Sequence, residues 1–162
     1  MMLLFFKVKN WSRDKLQLWL TGFQLKDRKM ESKKIIVPVD FTPASDQAIL
    51  QAISIAQKSM CSIRLLHLLE NNTQGDIDET PLAIEDKLNV LAKSIASHGI
   101  DSDFILKEGS IFDEIPLIAN SRENFILVIG THGVKGLRQK LFGADILKLV
   151  RKISIPCLIV QE

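Results

Sequence analysis

Residues 34–39 read Lys-Ile-Ile-Val-Pro-Val and run straight into Asp40. A run this short, nearly all apolar and rich in β-branched side chains, suits a strand buried on both faces, which in a soluble domain means a parallel sheet covered by helices. Pro38 is the one residue in it that argues against a central strand. The chain beyond keeps the alternation that such a sheet needs. Thr42-Pro43 offers a helix start, and Ala48, Ala52, Ile55 and Ala56 mark one face of a helix ending near Ser59. Ser62 to Leu69 (SIRLLHLL) reads as a second strand, and the polar stretch from Glu70 to Thr80 as a surface loop. From Pro81 to His98 the residues Ile84, Leu88, Leu91 and Ile95 recur at helical spacing, with Gly99 where a helix would stop. Asp103 to Lys107 predicts a third strand and Ile111 to Asn120 a third helix. Phe125 to Ile129 (FILVI) follows as a fourth strand without a polar residue. Ala144 to Arg151 predicts a last helix, and Ile155 to Val160, interrupted by Pro156, a fifth strand.

Strands separated by helices in this rhythm imply an α/β fold, a doubly wound five-stranded parallel sheet with right-handed crossovers and helices on both faces. Composition agrees: 162 residues, 46% hydrophobic and 25% charged, are enough for one compact domain with an ordinary core. The longest apolar runs fall far short of the roughly 18 to 20 residues that cross a bilayer. Cys61 and Cys157 stand apart, without a CxxC or a histidine at metal-ligand spacing, and read as small apolar strand residues of a reduced, cytoplasmic protein. No internal repeat or low-complexity tract is visible.

The formal charge of +2 hides an asymmetry. Residues 1–30 carry seven Lys/Arg against two Asp, whereas 31–162 carry 14 Lys/Arg against 17 Asp/Glu, so the body is net negative and a nucleic-acid reading from overall charge fails. Residues 1–30 read as an N-terminal extension to a domain at 31–162. Met1 to Phe6 is too short for a secretion signal. Ser12 followed by Leu16, Trp19, Leu20 and Phe23 at spacings of three and four outlines an amphipathic helix for a partner or membrane surface. A competing reading starts the protein at Met30, in which case 1–29 is upstream sequence and no membrane role remains.

In an open sheet of this kind ligands bind beyond the carboxyl ends of the strands, where the strand order reverses. The residues eligible are Asp40 after the first strand and the turn Gly130-Thr131-His132-Gly133 after the fourth. Gly143 opens the last helix, whose free N–H groups and dipole favour an anion, with Lys135, Arg138 and Lys140 between. The same residues have plainer readings. Asp40 serves equally as a cap, His132 as a turn residue, the cations as a solvated loop, and Gly130 and Gly133 as the glycines of a tight turn. His67 reads as a satisfied buried imidazole, and His98 as a residue favourably placed at a helix C-terminus.

The spacing Gly130-x2-Gly133-x9-Gly143 resembles the nucleotide-binding signature of the universal stress protein family. Val37-Pro38-Val39-Asp40, His67-Leu68 and Pro156-Cys157-Leu158-Ile159-Val160 resemble three further segments of that family in the same order, so the likeness spans about residues 33–161. It implies strand order 3-2-1-4-5 and a small cytoplasmic stress-response protein that is not a dedicated catalyst, with at most slow ATP hydrolysis. It implies an adenine nucleotide as ligand (ATP, ADP or AMP, with or without magnesium) and a homodimer through the last strand, Ile155 to Val160. By the same likeness the main chain at Pro38, Val39 and Leu68 would flank adenine and Asp40 would bond ribose or base. Gly130, His132, Gly133, Gly143 and the backbone of Ala144 and Asp145 would surround the phosphates.

One departure stands out. ATP-binding members have Ser or Thr after the third glycine and often a hydroxyl two residues on, where this chain has Ala144 and Ile146, and Asp145 adds a negative charge in the first helical turn. That charge satisfies the dipole itself and repels polyphosphate. The alternative is therefore a dimer of the same fold that binds no nucleotide and acts through protein partners. A phosphate-receiving regulatory domain is excluded. It needs paired acids after the first strand and an acceptor Asp after the third, where this chain has Leu106-Lys107-Glu108. A P-loop ATPase is excluded by the lack of GxxxxGK[ST].

Overall fold

The computed structural model describes residues 33–69, 80–131 and 144–161. The elements run β1 (Lys34–Pro38), α1 (Pro43–Ser59), β2 (Ser62–Leu69), α2 (Pro81–Ala96), β3 (Ser102–Glu108), α3 (Ile111–Ala119), β4 (Asn124–Thr131), α4 (Ala144–Arg151) and β5 (Cys157–Gln161). The strands form one sheet in the order β3-β2-β1-β4-β5. Each neighbouring pair is parallel, with Lys34 opposite Ser62 on one side of β1 and Ile36 opposite Leu127 on the other.

Alternation along the strands sends successive side chains into two separate cores, as the pleat requires. Ile35, Val37, Ile63, Leu65, Ile126 and Val128 pack against α1 and α2 through Ala48, Ala52, Ala56, Ile84 and Leu88. Ile36, Leu66, Leu127 and Ile129 pack on the other face against Ile111, Ile115, Ile146 and Leu149 of α3 and α4. Both faces of the sheet are therefore covered, which is why β1 and β4 carry almost no polar residue.

The prolines explain where the sequence reading and the structure differ. Pro38 is tolerated in a central strand because Val39 N–H resumes the ladder to Leu66 O at 2.8 Å. The missing N–H of Pro38 therefore falls on the β4 side, where the pairing with β4 ends at Ile36. The last strand begins at Cys157, not at Ile155 as expected. Pro156 still accepts from Leu127 N–H at 2.9 Å, but having no N–H it stands just ahead of the ladder. Pro116 lies inside α3, and the Phe112 carbonyl that an N–H at 116 would have bonded accepts instead from Lys152 Nζ at 3.0 Å. Helix starts follow local chemistry: Thr42, Thr80 and Ser110 are N-caps, and Thr42 forms a reciprocal capping box with Ser45. His98 lies just past the end of α2 with Nδ1 2.9 Å from Ser94 O. Both cysteines are buried, and among the described residues neither is in a disulfide.

At the amino ends of the strands a four-residue ion cluster ties the sheet together. Arg64 on β2 donates Nε and Nη2 to both carboxylate oxygens of Asp103 on β3 at 2.6 and 2.7 Å, and Nη1 to Glu123 at 2.6 Å. Lys34 on β1 also pairs with Asp103. Burial pushes the Asp103 carboxyl up, but the hydrogen bonds and charges of Arg64 and Lys34 outweigh it and hold the carboxyl below its ordinary range. Its folded value lies below its unfolded one. The stability it contributes is thus complete above the unfolded carboxylate value, near pH 4, and is lost as pH falls through the folded value. Asp103→Asn should lower stability at pH 7 by about 1–2 kcal/mol, a range kept small because the carboxylate is 44% exposed and partly screened. Urea denaturation at pH 7 and pH 3 checks this. The deficit should narrow at pH 3, and a deficit independent of pH would contradict it.

Candidate functional site

The strand order reverses at β1, since the chain first builds outward through β2 and β3 and then returns to add β4 and β5 on the other side. The helices that follow β1 and β4 pack on opposite faces of the sheet, the arrangement in which ligands of such sheets bind beyond the carboxyl ends of the two strands. Two segments meet there, the turn Val39–Thr42 and the end of β4 at Gly130–Thr131.

Asp40 sits in that turn, partly buried. Its Oδ1 accepts from Thr42 N–H at 3.2 Å and from the Thr42 hydroxyl. Thr42 N–H is shared with Ser45 Oγ at 3.1 Å, and Asp46 N–H bonds Thr42 O at 3.0 Å. The cap role weighed for Asp40 in the sequence is thus partly real, but it is exercised through Thr42, which is the residue that caps α1. Both bonds fall on one oxygen, so that among the described residues Oδ2 remains as an acceptor for a ligand hydroxyl or amine.

Phe41, between Asp40 and Thr42, has φ of 58°, a left-handed backbone that is unusual for a bulky side chain. Tertiary packing holds it there. Its ring lies 4.9 Å from the His67 ring, centroid to centroid, tilted by 32°, and Lys87 Nζ on α2 stands 5.2 Å from its centroid. Phe41 also forms one wall of a shallow groove with Asp86, Lys87, Val90 and Leu91. His67 is partly exposed rather than buried, and its Nδ1 is 2.7 Å from Val39 O. Sequence reasoning missed Phe41, because nothing in its residue type announces a positive φ.

The β4 side departs from expectation. Gly130 is not a turn residue: β4 continues to Thr131, with Gly130 opposite Val160 and Thr131 opposite Gln161. The reason for glycine is close approach. A Cβ at 130 would stand 2.2 Å from Ala44 O in the first turn of α1. The end of β4 is thus pressed against the α1 amino terminus, beside the Asp40 turn.

Of the other residues singled out, Pro38 and Val39 are buried at the end of β1, and Leu68 on β2 is partly buried against the α3–α4 core. His132, Gly133, Gly143 and the basic residues Lys135, Arg138 and Lys140 lie outside the described residues, as do the extension at 1–30 and the loop at 70–79. Ala144 and Asp145 form the first two positions of α4. Ile146 is 8% exposed and belongs to the α3–α4 core. Position 146, where the resemblance led to the expectation of a hydroxyl, is thus an apolar anchor. Among the described residues no three His, Cys, Asp or Glu side chains gather as metal ligands.

A family model described as the universal stress protein family matches residues 31–161. The chain belongs to that family. Three solved structures share the fold over nearly their whole length. Universal stress protein UspA from Lactobacillus plantarum is 18% identical, with a TM-score of 0.63 over 80% of this chain and 97% of that one. A universal stress protein from Archaeoglobus fulgidus in complex with dAMP is 18% identical, with a TM-score of 0.59 over 79% of this chain and 97% of that one. A third, in complex with cAMP, is 20% identical, with a TM-score of 0.59 over 79% and 95%. No curated protein matches the chain. At these identities the structural likeness establishes the fold, and the family match establishes the membership that the motif spacing implied. Among the described residues no helix is long and apolar enough to cross a membrane.

Proposed function

We propose that this universal stress protein binds an adenine nucleotide across the carboxyl ends of β1 and β4, and that it acts in a cytoplasmic stress response by binding rather than by catalysis. The observation that carries the reading is Asp40. It stands at the point where strand order reverses, one oxygen committed to Thr42 and the other left over among the described residues, beside the α1 amino terminus against which the end of β4 is pressed. A carboxylate oxygen of that kind accepts well from ribose hydroxyls. Relatives of the same fold in complex with dAMP and cAMP support the choice of ligand class. Ala144 and the buried Ile146 supply no hydroxyl for a phosphate chain, and Asp145 opposes added negative charge, so the affinity order is AMP above ATP. Magnesium is not required by this reading. In the same proposal the protein is a homodimer through β5, which lies at the edge of the sheet and presents a backbone edge to a second copy.

Native mass spectrometry of the full chain purified without added nucleotide, followed by calorimetric titration with AMP and ATP, tests both parts. A dimer that retains or takes up AMP supports them. A species that stays free of ligand at millimolar AMP and ATP, a concentration at which even weak sites fill, overturns the nucleotide reading. That result favours the second reading, a dimer acting through protein partners, for which the conversion of position 146 into core is the specific observation.

A further inference from the structure

His67 touches both neighbours of Asp40. Its Nδ1 lies 2.7 Å from the carbonyl of Val39, the residue before Asp40, and its ring packs 4.9 Å from the ring of Phe41, the residue after. A carbonyl oxygen only accepts, so the contact to Val39 requires Nδ1 to carry the proton and donate. Phe41 is held at φ 58°, a conformation its own side chain disfavours, so the turn depends on what grips the ring. Lys87 on one contact and His67 on another supply that grip. Asp40 is therefore suspended between two residues fixed by one imidazole on the adjacent strand.

From this geometry we propose that His67 is a positioning residue for the nucleotide site: its Nδ1–H to Val39 O and its ring against Phe41 set the backbone on both sides of Asp40, and so the direction of the carboxylate. The inference rests on Asp40 being the nucleotide contact, and it assigns to His67 no contact with the ligand. The Nδ1 bond and the ring contact are separable. Asn at 67 places an amide N–H close to where Nδ1 stands and loses the ring, while Phe keeps a ring and loses the donor.

The test uses the full chain, AMP as titrant, and the Asp40 carboxyl carbon resonance of the ligand-free protein. His67→Phe should weaken AMP binding about tenfold, the loss of one hydrogen bond to a positioned group, and move the Asp40 resonance while leaving the melting temperature within a few degrees. His67→Asn should restore AMP affinity to within about threefold of the parent. AMP affinity of His67→Phe equal to the parent overturns the inference and leaves the nucleotide reading intact. If the parent itself takes no AMP, the nucleotide reading fails, and the Asp40 resonance alone decides the positioning role. Should His67→Phe not fold, the imidazole nitrogen shifts of the parent decide it: a proton on Nδ1 supports the bond to Val39, and a proton only on Nε2 excludes it.

Discussion

Replacing Gly130 by alanine should lower the melting temperature by about 6–12 °C. A Cβ at this position stands 2.2 Å from Ala44 O, 2.5 Å from Ala44 C and 3.0 Å from Ser45 N. These are backbone atoms in the first turn of α1, locked by the Thr42–Ser45 capping box and by the core residues Ala44 and Ala48. No side chain can swing away, so either β4 withdraws from its pairing with β5 or α1 shifts off the sheet. Overpacking against an unyielding backbone costs about 3 kcal/mol, the upper part of the usual range, which at about 2–4 °C per kcal/mol for a chain of this size yields the stated drop. Thermal melts followed by circular dichroism measure it. Gly99→Ala is the control, because Gly99 has open space around its Cβ position and only its φ of 75° to lose. A Gly130→Ala melt no lower than the control would show that the β4–α1 contact yields freely. The result also governs how ligand data are read. Loss of nucleotide in Gly130→Ala would report a displaced β4 terminus as much as a lost phosphate contact.

Asp40→Asn should reduce AMP affinity about ten- to a hundredfold with little change in stability. The amide oxygen of Asn still accepts from the N–H and hydroxyl of Thr42, so the turn into α1 is kept. What changes is the other atom, which becomes an NH2 donor facing ligand donors, and the loss of a charged acceptor is worth about 1.5–3 kcal/mol. Isothermal titration with AMP, beside a urea melt of the same variant, separates the two effects. Unchanged AMP affinity would show that the carboxylate serves the α1 cap alone. Asp40→Ala is the less informative variant, since it also removes the acceptor that Thr42 uses.

Much of the architecture is legible in the residues because it follows from local rules. KIIVPV and FILVI allow little but strands buried on both faces, Thr42-Pro43 starts a helix, and Gly99 turns the chain just after another has ended at Ala96, each for a reason confined to a few neighbouring residues. The family spacing also lies within the sequence itself. The site is less legible. The place after the first strand makes Asp40 a candidate, but Gly130 reads as a turn residue because glycine in sequence reports only freedom from a Cβ. Whether that freedom serves a turn, a ligand or a neighbouring backbone depends on what approaches from elsewhere in the chain.

What the sequence by itself determined is the order and type of the elements, the two-faced burial of the sheet, and the family that the motif spacing points to. Only the tertiary structure decided that Gly130 makes room for the Ala44 carbonyl, that Ile146 is spent on the core, and that His67 grips both neighbours of Asp40. Arg64 and Asp103 likewise become partners only when β2 and β3 align, and Glu123, just ahead of β4, reaches Arg64 only once β4 is seated beside β1. The physical reason is range. Helix caps, strand patterns and proline effects act over one to four residues and are written in the local sequence. Steric exclusion, stacking and charge pairing act between residues 26 to 86 positions apart, and exist only once the sheet has brought them together.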